Sequence, residues 1–186
     1  MNVKRIACLA LASVACLSLV SCGMQTYVPD KSEVIAVYEN NSSCMLEAAE
    51  DMIKLGREVV VSHTDNYAID SDDRAFTEYK GLYISDTFGG YEKYQNENIE
   101  SLLTGSGAKS ISVTNSDGFS IVEFNCGGGG KYYRGVYYSS DDSIKNLVIP
   151  DGRLIASGDG FIYDGDEVYY YTEKLDDCFF YYELNT

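Results

Sequence analysis

Cys44 and His63 are the two side chains of this sequence that could form a nucleophile and its base. A cysteine becomes a nucleophile when a helix N-terminus or a neighbouring cation lowers its pKa. Ser43-Cys44-Met45 falls in the middle of a helical pattern instead, and His63 follows it closely in sequence, so no cysteine hydrolase is expected. Gly127-Gly128-Gly129-Gly130-Lys131 invites a phosphate-loop reading, which needs GxxxxGK[ST] and then a helix. Tyr132 stands where Ser or Thr is required and the next segment reads as a strand, so a hairpin turn is expected there. Asp70-Ser71-Asp72-Asp73 opens like a calcium loop, but Arg74, Ala75 and Gly81 occupy the positions that need Asp or Asn, Gly and Glu. The acidic stretch from Asp159 to Glu167 reads as solvated turns in the same way. No cysteine pair has CxxC spacing and His63 has no HxxxH or HExxH partner, so neither a zinc site nor any cofactor is expected.

Tyrosine is the unusual enrichment, with 17 Tyr against no Trp. Ten of the 17 lie from Tyr132 onward, many as neighbours: Tyr132-Tyr133, Tyr137-Tyr138, Tyr169-Tyr170-Tyr171 and Tyr181-Tyr182. Successive side chains of a strand point to opposite faces, so each pair should divide into one buried and one outward ring. Outward tyrosines make adhesive surfaces with a polar tip and little entropy to lose. Tyr132, Tyr133, Tyr137, Tyr138, Tyr169, Tyr170, Tyr181 and Tyr182 are therefore the candidate binding residues. The plainer reading of the same residues is that tyrosine covers a pleated sheet well.

The N-terminus carries an address. Met1-Asn2-Val3-Lys4-Arg5 is a short basic head, followed by an apolar run from Ile6 to Val20 that only Ser13 and Ser18 interrupt. That run is short of the roughly 17–25 apolar residues of a membrane-spanning helix and has the form of an export signal. Leu19-Val20-Ser21-Cys22 then resembles the lipobox of bacterial lipoproteins. The resemblance implies that the Cys22 thiol is diacylated, that cleavage follows Ser21, and that Cys22 begins the mature chain. Two acyl chains hold a protein on a bilayer, whereas one does so only marginally. The implied location is the extracytoplasmic face of the cell membrane, and the implied partner is the membrane itself through the lipid on Cys22.

Removing residues 1–21 leaves 165 of 186 residues, enough for one domain with its own core, and shifts the formal net charge from −15 to −17. Such a chain is repelled by nucleic-acid phosphates and anionic headgroups, so no nucleic-acid partner is expected. Of six cysteines, Cys44, Cys126 and Cys178 remain after Cys8, Cys16 and Cys22 are set aside. They allow at most one internal disulfide with a thiol left over. Three reduced thiols and a Cys126–Cys178 bridge both fit this count.

The elements that must position these residues follow from periodicity. Asp30 and Glu33 form a capping-box pattern, and apolar residues recur at Val34, Val37, Tyr38, Met45, Ala48, Ala49, Met52 and Ile53. One helix of about 25 residues is expected, bent at Asn40-Asn41-Ser42-Ser43 and stopped at Gly56. The period then changes to two. Strands are expected over 58–63, 76–85, 91–95, 109–114, 119–125, 131–139, 146–149, 153–156, 160–163, 167–173 and 178–184, with a short helix over 98–104. The expected fold is α+β: a long N-terminal helix packed on an antiparallel β-sheet meander, with a second short helix. The chain divides into a signal peptide (1–21), a lipidated N-terminus with a short tether (22–29) and a single domain (30–186).

Arg134-Gly135-Val136-Tyr137-Tyr138-Ser139-Ser140-Asp141-Asp142, with the ending from Tyr169-Tyr170-Tyr171 to Glu183, is similar to a group of Gram-positive lipoproteins. In that group a tyrosine-rich hairpin and terminal strand follow a long helix, and the resemblance implies no activity. The functional expectation is a non-enzymatic binding or accessory protein, contacting a protein or envelope component through its tyrosine-rich sheet. The alternative is an envelope enzyme or carbohydrate binder with a site assembled from Asp, Glu and Tyr.

Overall fold

The computed structural model describes residues 27–64, 67–69, 76–78, 81–86, 91–116, 118–129, 131–149, 152–165 and 167–186. Cys22 and Asp70-Ser71-Asp72-Asp73 lie outside them.

Helix α1 runs from Lys31 to Lys54. Both halves of its capping box form: the Asp30 carboxylate accepts from the Glu33 N–H at 2.9 Å, and Glu33 accepts from the Asp30 N–H at 2.7 Å. Gly56 adopts a left-handed φ of +64° just past the end, where a Cβ is costly. The Asn40 and Asn41 amides donate to carbonyls one turn back, so these two residues are held within the helix. Val34, Met45, Ala48, Ala49 and Met52 are fully buried along one stripe. Each large member of such a stripe contributes about 1.5–3 kcal/mol through burial.

After α1 come strands β1 (Val59–Thr64), β2 (Tyr67–Ile69), β3 (Phe76–Glu78), β4 (Gly81–Asp86) and β5 (Tyr91–Lys93). Helix α2 (Glu97–Ser101), capped by Asn96, continues as a wide turn over Leu102–Ser106. Strands β6 (Ser110–Ser116), β7 (Phe119–Gly129) and β8 (Tyr132–Ser139) follow, then β9 (Ile155–Ser157), β10 (Gly160–Asp164), β11 (Tyr169–Asp176) and β12 (Phe179–Asn185). Ten strands form one antiparallel sheet in the order β5-β4-β1-β6-β7-β8-β12-β11-β10-β9, while β2 and β3 pair separately. The last four strands therefore walk inward from the edge until β12 meets β8.

This α+β architecture, a long helix on an antiparallel sheet with a short second helix, is the expected one, with local differences. The strand expected over 76–85 is two strands, β3 and β4, in different sheets, and β2 forms where no strand is expected. The stretch expected as a strand at 146–149 is a loop, because Asn146 turns its side chain onto its own chain and accepts from the Val148 and Ile149 N–H groups. Gly127, Gly128 and Gly129 are not a turn: they extend β7 and pair with Arg134, Tyr133 and Tyr132 past a bulge at Cys126. The expected tether also ends earlier than position 29. Pro29 is buried, and its carbonyl accepts from Arg134 Nη1 at 2.9 Å.

Both faces of the central strands are covered. On one side α1 packs over β6, β7 and β8, with Val122, Phe124, Val136, Phe179 and Tyr181 beneath it. On the other, Tyr133, Tyr137, Tyr170, Phe180, Tyr182 and Leu184 pack against Ile144, Leu147, Val148 and Leu154 of the chain between β8 and β9.

Candidate functional site

The tyrosines sort by face, and the two covered faces change the outcome expected for adjacent pairs. Tyr132 is 49% exposed beside Tyr133 at 7%, as alternation requires. Tyr138 and Tyr169 are half-buried beside the fully buried Tyr137 and Tyr170. Tyr181 and Tyr182 are both buried, because one enters the core under α1 and the other the core under the loop. Tyr133, Tyr137, Tyr170, Tyr181 and Tyr182 are therefore core residues and present no outward row to a partner.

Their hydroxyls explain why tyrosine rather than phenylalanine fills the loop-side core. The chain after β8 has no ladder partner for its backbone, and buried N–H and C=O groups must be satisfied. Tyr137 accepts from the Lys145 N–H at 2.9 Å, and Tyr170 donates to the Lys145 carbonyl at 3.0 Å. Tyr137 also bonds Thr172 Oγ1 at 3.2 Å and stacks on Phe180, ring centroids 5.0 Å apart. The outer end of the loop is fixed by Asp141, which gathers Lys145, Ser139 and Ser143 on its carboxylate. Desolvation works to raise the Asp141 pKa, but these hydrogen bonds outweigh it and hold the carboxyl well below its ordinary range.

On the helix side, beside the N-terminus of α1, cations, carboxylates and phenols meet across three strands. Arg134 on β8 faces Glu183 on β12, with Nε–Oε2 at 3.0 Å, and the same carboxylate accepts from Tyr181 at 3.2 Å. Lys31 lies 2.7 Å from Glu173 Oε2 on β11, over the rings of Tyr171 and Tyr181 at 5.3 and 5.5 Å. Glu173 also accepts from Tyr171. Burial first, then the neighbouring carboxylates, push both phenols above their ordinary pKa. Phenols so held are donors and not bases or nucleophiles, and each carboxylate already has a cation and a hydroxyl. The cluster is a set of ion pairs whose carboxylates are already matched by cations and phenols.

Glu123 on β7 is the other notable carboxyl. It is half-buried, and burial pushes its pKa above the carboxylate range against the opposing effect of its hydrogen bond from Tyr182. Cys44 lies in mid-helix, donates to the Asn98 carbonyl at 3.4 Å, and is pushed up by burial and by Glu47. Cys126 is buried and pushed up to about 12. These two thiols and Cys178 are free and not poised as thiolates. Among the described residues no group of three or more His, Cys, Asp or Glu side chains could hold a metal ion.

Sequence reasoning missed Lys31, Glu173, Arg134, Glu183 and Glu123. Strand alternation did hold a signal for Arg134, which must face away from Tyr133 and Tyr137. No family model, curated protein or solved structure matches the chain.

Proposed function

We propose that this chain is a membrane-anchored extracytoplasmic lipoprotein, held by lipid on Cys22, that works as a non-enzymatic binding or accessory protein. The observation that carries this reading is Leu19-Val20-Ser21-Cys22 behind a basic head and a short apolar run, five residues before the first described residue. The binding part of the reading is supported by the tyrosines and aliphatics that reach the surface. Helix α1 packs over β6 to β8, and the same face of β9 to β11 carries Ile155, 61% exposed, with Ile162, Tyr169 and Tyr171 half-buried. A partly exposed apolar and aromatic strip beside a covered core is the surface on this domain that fits an interaction site best.

The test has two arms. In detergent phase separation the wild type should enter the detergent phase and Cys22→Ala the aqueous phase. The domain 27–186 immobilised on resin should capture the same envelope component repeatedly, and Tyr169→Ala with Ile155→Ser should lose it while unfolding normally. Wild type in the aqueous phase contradicts the anchor; capture unaffected by both substitutions contradicts the strip.

A further inference from the structure

Tyr27-Val28-Pro29 is fastened to the sheet. Pro29 is buried and bonded to Arg134, and a Cβ on Gly127 would come within 2.9 Å of both the Pro29 ring and the Tyr27 carbonyl. Only glycine at 127 lets the chain pass this closely over β7. From there five residues lead back to Cys22, a reach of at most about 17 Å when fully extended. The surface around Tyr27 is thus the part of the domain nearest to any lipid on Cys22.

That surface has its own character. Tyr27 is 61% exposed and Tyr132 is 49% exposed, and among the described residues both are of the few large hydrophobic side chains that reach solvent. Gly127 pairs with Arg134 and Gly129 with Tyr132, so Tyr132 lies two residues along β8 from the Pro29 contact and points to the same face. Lys131 beside it is exposed. The nearby acids are occupied: Asp30 and Glu33 in the capping box, Glu33 also with Tyr27, and Glu183 with Arg134. Tyrosine prefers the headgroup level of a bilayer, where its ring is sheltered and its hydroxyl stays wet. A lysine at the same depth reaches lipid phosphate.

We infer that Tyr27, Tyr132 and Lys131 form a membrane-seated rim that fixes the orientation of the anchored domain on a phospholipid surface. The inference rests on the lipid anchor proposed above. With a net charge of −15 in the full sequence, the chain as a whole gains nothing from an anionic surface, so the seat is aromatic and weakly dependent on salt.

The chain contains no tryptophan, so a single one reports without background. Lipidated Tyr27→Trp and Tyr132→Trp, and Ile149→Trp as a control from the loop-covered face, would be reconstituted into phosphatidylcholine vesicles with or without dibrominated acyl chains. The intact mass of each sample shows whether Cys22 carries lipid. The expected result is quenched, blue-shifted emission from positions 27 and 132 and unchanged emission from 149, the same at low and high salt. Lipidated protein in which 27 and 132 are unquenched, or in which 149 is quenched as strongly, overturns the rim and leaves the anchor standing. A mature chain without lipid overturns both.

Discussion

Tyr182 on β12 reaches across β8 to donate its hydroxyl hydrogen to Glu123 Oε1 on β7, 2.5 Å away. The intervening residue is Gly135, which pairs with Tyr182 on one side and Asn125 on the other. A Cβ at Gly135 would stand 2.8 Å from Tyr182 Cε1 and 2.2 Å from the Phe124 carbonyl oxygen. Glycine at 135 is what lets the tyrosine ring lie over the strand, so Arg134-Gly135-Val136 holds a structural reason for its middle residue. Gly135→Ala should cost about 1–3 kcal/mol through overpacking, read as a lowered urea midpoint.

Glu123 sets a pH dependence. Burial raises its folded-state pKa, so the folded chain holds this proton more tightly than the unfolded one. Its contribution is full below the unfolded carboxyl range and is lost as pH rises through the raised value. Glu123→Gln should remove this loss, so the variant gains on the wild type at neutral pH and not at acidic pH. Tyr182→Phe leaves the carboxyl without its donor and should cost about 1–3 kcal/mol at neutral pH. Urea unfolding across a pH series checks both.

The loop between β8 and β9 should loosen before the sheet does. Tyr170→Phe deletes the bond to the Lys145 carbonyl and keeps the ring, at a cost of about 1 kcal/mol. Tyr170→Ala also empties a fully buried site and should cost about 3–5 kcal/mol. In hydrogen exchange, Tyr170→Phe should speed exchange at 144–148 while β7 and β8 stay protected.

Asp30 should matter to α1 alone. Asp30→Ala removes the acceptor for the Glu33 N–H and should cost about 0.5–2 kcal/mol. The expected loss of amide protection is confined to the first turn of the helix.

Much of this framework was legible in the sequence for identifiable reasons. The Asp30 and Glu33 cap, the apolar stripe from Val34 to Met52 and the stop at Gly56 are local features, and α1 occupies the span they mark. The strand from Phe119 was legible only to Asn125, because consecutive glycines carry no alternation, and Gly127, Gly128 and Gly129 pair only because β8 lies beside them. Asn146 decided the loop at 146–149 through side-chain bonds that periodicity does not register. The tyrosine pairs misled on exposure because alternation assigns faces but says nothing about what covers them. Tyr181 and Tyr182 do point to opposite faces, and each finds its own core. The helix-side cluster joins Lys31 to Glu173, residues 142 positions apart, which only the sheet order brings together.

The intact mass of the mature N-terminal peptide tests the central claim most directly. The expected mass is that of a chain beginning at Cys22 with a diacylglyceryl adduct, which disappears in Cys22→Ala. A mature protein that retains Met1, or one that begins after the apolar run with an unmodified cysteine, would contradict it.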